Sequence, residues 1–152
     1  MLTSFSVYLW RGGALFVLPF LLSDKNTNLL KDAYVRGDAR IFIGQCRSFR
    51  NPAVDPWVAN IFATALLAGL DGISDEKDGE AISLLREVTS VGGCPPAWYS
   101  FGMCHSRGIG VPLDAVAATQ CFLEGARRGC SLCCSKFHDI PFPHVERIIS
   151  QL

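Results

Sequence analysis

Along residues 77–92 the apolar side chains Ala81, Leu84, Leu85 and Val88 recur at i, i+3, i+4 and i+7. That spacing puts all four on one face of an α-helix. Gly92-Gly93 and then Pro95-Pro96 stop it, since neither residue type continues a helix at low cost. A further helix is predicted over 97–107, closed by Gly108-Ile109-Gly110. Pro112 and Asp114 restart the chain into another that runs to Arg127-Arg128. Asp114 then lies at the positive end of a helix dipole and the two arginines at the negative end. Upstream, Leu29, Leu30, Ala33 and Tyr34 predict a helix ending near Gly37, and residues 38–49 its partner. Asn51-Pro52 and Asp55-Pro56 mark a turn before a helix over 57–70. Downstream, Ser131 to His138 reads as a short helix and Pro141 and Pro143 bracket a turn. Val145, Ile148, Ile149 and Leu152 form the apolar stripe of a last helix.

The units repeat. A shift of 36 residues lays 61–96 on 97–132 and matches Gly72 with Gly108, Ile73 with Ile109, Asp78 with Asp114, Ala81 with Ala117, Gly93 with Gly129 and Cys94 with Cys130. Chance would give roughly two identities in such a window. The period is short for a β unit with a crossover helix and right for a helix–turn–helix repeat. The expected fold is therefore all-α, a short α-solenoid of about four helical hairpins with capping outer pairs. The helical-repeat domain is expected over 24–152, with 61–96 and 97–132 as units and 133–152 as a C-terminal cap.

Residues 1–23 stand apart. They hold no Asp or Glu and one basic residue, Arg11, and Ala14 to Leu22 is almost wholly apolar. Three readings compete: a targeting leader, a membrane anchor and a buried first helix. Arg11, Gly12-Gly13 and Pro19 interrupt a membrane helix. An acid-free start also suits a mitochondrial presequence. A mitochondrial or membrane-associated address is favoured, with the secretory pathway and cytosol open.

The second unit resembles the Sel-one-like repeats, relatives of the tetratricopeptide repeats. The residues that carry the likeness are Ala97, Phe101-Gly102, His105, Gly108-Ile109-Gly110-Val111, Asp114, Ala117, Gly125-Ala126 and Gly129. The first unit is a degenerate copy that keeps Gly72, Asp78, Ala81 and Gly93. It has Leu66 where the family has glycine, Gly69 where it has an aromatic and Ser74 for the second loop glycine, and His105 also departs from an aromatic position. The resemblance implies a non-enzymatic adaptor or scaffold that holds protein partners in a larger assembly. Some cysteine-rich members pair cysteines within a hairpin, but the matching position here is Arg127.

Composition narrows the function. Hydrophobic residues make up 49% and charged residues 18%, which excludes a disordered chain. Fourteen basic and fourteen acidic residues cancel, so no broad basic field exists to bind a nucleic-acid backbone. Aromatics and Met are enriched in interface cores, so Trp98, Tyr99 and Met103 are the expected partner contacts, with packing between repeats as their simpler reading.

Seven cysteines, an odd number, leave at least one thiol unpaired. Cys130-x-x-Cys133-Cys134 followed by His138 and His144 could give zinc four N and S ligands from Cys130, Cys133, His138 and His144. The same Cys-x-x-Cys could be redox-active, although no βαβ pattern accompanies it. Buried thiols are the simpler reading, and no cofactor is expected. No Gly-x-Ser-x-Gly elbow occurs. Gly-Ile-Gly-Val follows a helix, not a strand, and so is not a dinucleotide loop. The acidic run Asp71, Asp75, Glu76 and Asp78 has Glu76 where a calcium loop needs glycine. No catalytic set emerges.

Overall fold

The computed structural model describes residues 4–11, 13–70 and 77–137. Among them the chain opens as two strands, β1 (Ser4–Arg11) and β2 (Ala14–Leu21). Seven helices follow: α1 (Lys25–Val35), α2 (Ala39–Phe49), α3 (Pro56–Leu67), α4 (Asp78–Val91), α5 (Pro96–Arg107), α6 (Ala115–Arg127) and α7 (Ser131–Ser135).

The all-α expectation is corrected at its start: the fold is mixed, and residues 4–21 form an antiparallel hairpin, not a first helix. Strand formers flank a glycine pair, with Val7, Tyr8 and Trp10 before it and Phe16, Val17 and Phe20 after it. The register pairs Arg11 with Ala14, and the sequence between them is Gly12-Gly13. Gly13 takes φ +77, as short hairpin connections require. Pro19 is tolerated because a two-stranded sheet has only edge strands. Among the described residues no helix is long and apolar enough to cross a membrane.

The helices pack as three consecutive hairpins, α1 with α2, α3 with α4 and α5 with α6, and α7 closes against α6 and α5. The four hairpins expected thus become three among the described residues. The turn at Pro141 and Pro143, the helix over 145–152, most of the 133–152 cap and Gly72 lie outside those residues. Aspartates start four of the helices. Asp24, Asp38, Asp55 and Asp114 each accept a backbone N–H from the first turn of α1, α2, α3 and α6, which satisfies donors that no helical carbonyl reaches.

The 36-residue period holds in the second helices. Gly93 and Gly129 follow α4 and α6 with similar φ of +86 and +89, and Cys94 and Cys130 are both buried. The Thr64 and Ser100 hydroxyls, also 36 apart, meet at 3.3 Å between α3 and α5. The first helices are out of step. α3 ends at Leu67, and residues 68–77 lead to α4, whereas only 108–114 join α5 to α6.

β2 packs against α1, α3 and α5, the first helices of the three hairpins. An isolated two-stranded hairpin is marginal in water. Phe16, Leu18 and Phe20 of β2 are fully buried, each contributing about 1.5–3 kcal/mol, so docking on the helices is what holds the strands. Polar contacts fix both ends. The Thr27 hydroxyl donates to the Leu21 carbonyl, and the Asn28 amide donates to Leu22 O at 2.6 Å. At the turn end the Arg11 guanidinium donates to Leu67 O at 2.7 Å and to both Asp78 oxygens at 2.7 and 3.1 Å.

Candidate functional site

β1 pairs only with β2 among the described residues, so its outer edge has no strand neighbour. Side chains alternate faces along a strand, so Tyr8 and Trp10 project together. They are 57% and 71% exposed. Phe5 lies on the other face, under the Lys31 ammonium at 5.2 Å. Edge strands are usually blunted by charge, proline or a bulge. From Ser4 to Trp10 this strand has neither charge nor proline, and its register with β2 is continuous.

The partner contacts expected from sequence are divided by the fold. Tyr99 and Met103 are buried, with the Tyr99 ring 6.0 Å from that of Phe122. They lie at i and i+4 on α5 and turn into the core together, which removes them from the surface. Trp98, one position round the helix, is half-buried with the Arg128 guanidinium 5.4 Å over its ring. It lines a cleft of about 400 Å³ between α5 and α6 with His105, Gln120, Cys121, Glu124 and Arg127.

That cleft holds an imidazole and a thiol, the raw material of a nucleophile–base pair. Burial pushes the Cys121 thiol up to about 11, opposite to the depression an activated thiolate needs. The His105 ring packs 4.9 Å from Phe101, and its Nδ1 is buried without a hydrogen-bond partner.

The repeat residues serve packing. Ala81 and Ala97 are fully buried and Ala117 half-buried. Gly102 lets the Phe122 ring lie against the α5 backbone, and a Cβ on Gly125 would collide with Cys133 Sγ. Gly108 caps α5 with φ +67. Gly110 lies against Asp78 and Ile82 of α4, joining one hairpin to the next.

The structure brings Cys130 and Cys133 together. Cys130 Sγ accepts the Cys133 N–H at 3.4 Å. Hydrogen bonding to Cys133 holds the Cys130 thiol below its ordinary range. The same bond and burial push Cys133 up. Cys130 lines a cavity of about 360 Å³ bounded by Tyr8, Val17 and Pro19 of the hairpin and by Trp57. His138 and His144, the other two zinc candidates, lie outside the described residues. Among the described residues no three His, Cys, Asp or Glu side chains cluster closely enough to hold a metal ion.

Sequence reasoning missed the exposed strand. The signal was present in Gly12-Gly13, set between two eight-residue segments rich in strand formers, SFSVYLWR and ALFVLPFL. Comparison with family models, curated proteins and solved structures finds no match to this chain.

Proposed function

We propose that the protein is a non-enzymatic adaptor that binds an extended segment of a partner protein along strand β1. The observation that carries this reading is a sheet edge without a strand neighbour among the described residues, with Tyr8 and Trp10 exposed on one face of its strand. Strand addition uses main-chain hydrogen bonds for affinity and alternate side chains for specificity. A partner segment with apolar residues at alternate positions would complement the two aromatics. β2 is buried on three helices, so the template is rigid and little ordering entropy is lost on binding. The stacked hairpins and the resemblance to Sel-one-like repeats accord with a scaffold role in a larger assembly.

The test is quantitative co-purification of tagged full-length protein from its native cells in mild detergent. Exposed aromatic anchors at an interface each carry about 2 kcal/mol or more. Joint substitution Tyr8→Ser and Trp10→Ser should therefore lower partner recovery at least about tenfold with helicity intact. Undiminished recovery by the folded variant, or a wild-type protein that recovers no stoichiometric partner, would sink the proposal.

A further inference from the structure

The Cys130–Cys133 pair sits where the chain leaves α6 and enters α7. Its two thiols are unlike. Cys133 is fully buried, and Gly125 makes room for it by lacking a Cβ. Cys130 faces the cavity between the β-hairpin and the start of α7. Its Sγ accepts the Cys133 backbone N–H at 3.4 Å. That hydrogen bond favours the thiolate form of Cys130, and of the two thiols only Cys130 lines the cavity. None of the residues lining the cavity is charged. Cys130 is only 4% exposed, which shuts out a bulky protein disulfide and leaves the cavity as the approach.

We propose that Cys130 and Cys133 form a redox couple that exchanges with a low-molecular-weight disulfide of the glutathione type. In the first step the Cys130 thiolate attacks one sulfur of the small disulfide. The S–S bond breaks, and its other half leaves as a thiolate that takes a proton from water. Cys130 now carries a mixed disulfide. In the second step Cys133 attacks Cys130 Sγ as its proton passes to the departing sulfur. The mixed bond breaks and the second small thiol departs. Two protein thiols are oxidised to one disulfide, and one small disulfide is reduced to two thiols. The order follows from access, because Cys130 lines the cavity and Cys133 is fully buried, so the incoming disulfide meets Cys130 first. The other buried thiols do not compete: burial raises Cys46, Cys94, Cys104 and Cys121.

The experiment equilibrates the full-length protein in glutathione buffers of graded oxidised-to-reduced ratio. Acid quenching, alkylation and peptide mapping then identify each cysteine. Expected in the wild type is an internal Cys130–Cys133 disulfide. Cys133→Ser should halt at a glutathione adduct on Cys130, and Cys130→Ser should leave Cys133 unmodified. A second readout needs no variant: the alkylation rate of Cys130 against pH should have its midpoint below that of an ordinary thiol. Glutathionylation confined to the exposed Cys134, or an alkylation midpoint at 9 or above as for an ordinary thiol, would overturn the couple. So would stoichiometric zinc that protects both thiols from oxidation.

Discussion

Gly110 shows how a single residue holds two hairpins together. Its φ is +69, and a Cβ there would come within 2.9 Å of Ile82 Cγ1 and 3.1 Å of Asp78 Cβ. Gly110→Ala therefore meets both backbone strain and a clash, and should cost about 1–3 kcal/mol. Gly44 in the middle of α2 is the control. Nothing lies within 4 Å of its added Cβ, so Gly44→Ala should gain about 0.5–1 kcal/mol from helix propensity. Urea unfolding midpoints of the two variants should move in opposite directions. At this scale the sequence was legible wherever the reason was local. Asp114 and Gly108 hold the cap positions expected of them because the helix end itself selects them. Gly102 and Gly125 were legible only as repeat matches. Their partners, Phe122 and Cys133, lie on other elements, so the reason for a missing Cβ could not be read from neighbours in the chain.

The β-hairpin is the element on which fold and function meet. The Arg11 guanidinium pairs with Asp78 at 2.7 Å, with side chains 20% and 14% exposed, and tethers the turn end of the strands to α4. Hydrogen bonds to charged groups are worth about 1.5–3 kcal/mol, so Arg11→Ala should lower stability by about that amount. Hydrogen exchange should speed first in β2, from Ala14 onward, while α5 and α6 keep their protection. Uniform loosening of all elements would instead mean that Arg11 stabilises the whole fold and not the docking. The helical boundaries were read to within a few residues from apolar spacing and from turn residues, the latter alone serving for α3, which is buried all along 58–67. The hairpin was not. β2 is buried at Phe16, Val17, Leu18, Pro19 and Phe20 in succession, so it shows no alternation of apolar and polar positions. A strand covered on both faces reads as a continuous apolar run, which is also the signature of a leader or anchor. The phase slip between α3 and α5 was hidden for a related reason. The 36-residue match rests on turn and second-helix residues, not on the ends of the first helices.

For the molecule as a whole, the buried thiols set the pH range of stability. Burial raises Cys46 and Cys104 to about 12 and Cys121 to about 11, whereas an unfolded thiol ionises near 9. Above that pH the unfolded chain has released protons that the folded chain still holds. Stability from these groups is thus full below pH 9 and falls as pH climbs towards 11 and 12. Each fully engaged thiol contributes a slope of up to about 1.4 kcal/mol per pH unit. Cys130, held below its ordinary range, acts in the opposite sense, but it is one group against several. The thermal midpoint should drop between pH 8 and pH 10, and Cys46→Ala should flatten the drop. An unchanged midpoint over that interval would mean that these thiols ionise freely in the folded protein.

The proposed adaptor role depends on whether a partner lies along β1. The direct measurement is hydrogen exchange, peptide by peptide, on the full-length protein alone and in its co-purified complex. Expected is slowed exchange in residues 4–11, with the α5–α6 cleft around Trp98 and Gln120 unaltered. Protection confined to that cleft, with β1 exchanging as fast as in the protein alone, would contradict strand addition and move the binding surface to the helices.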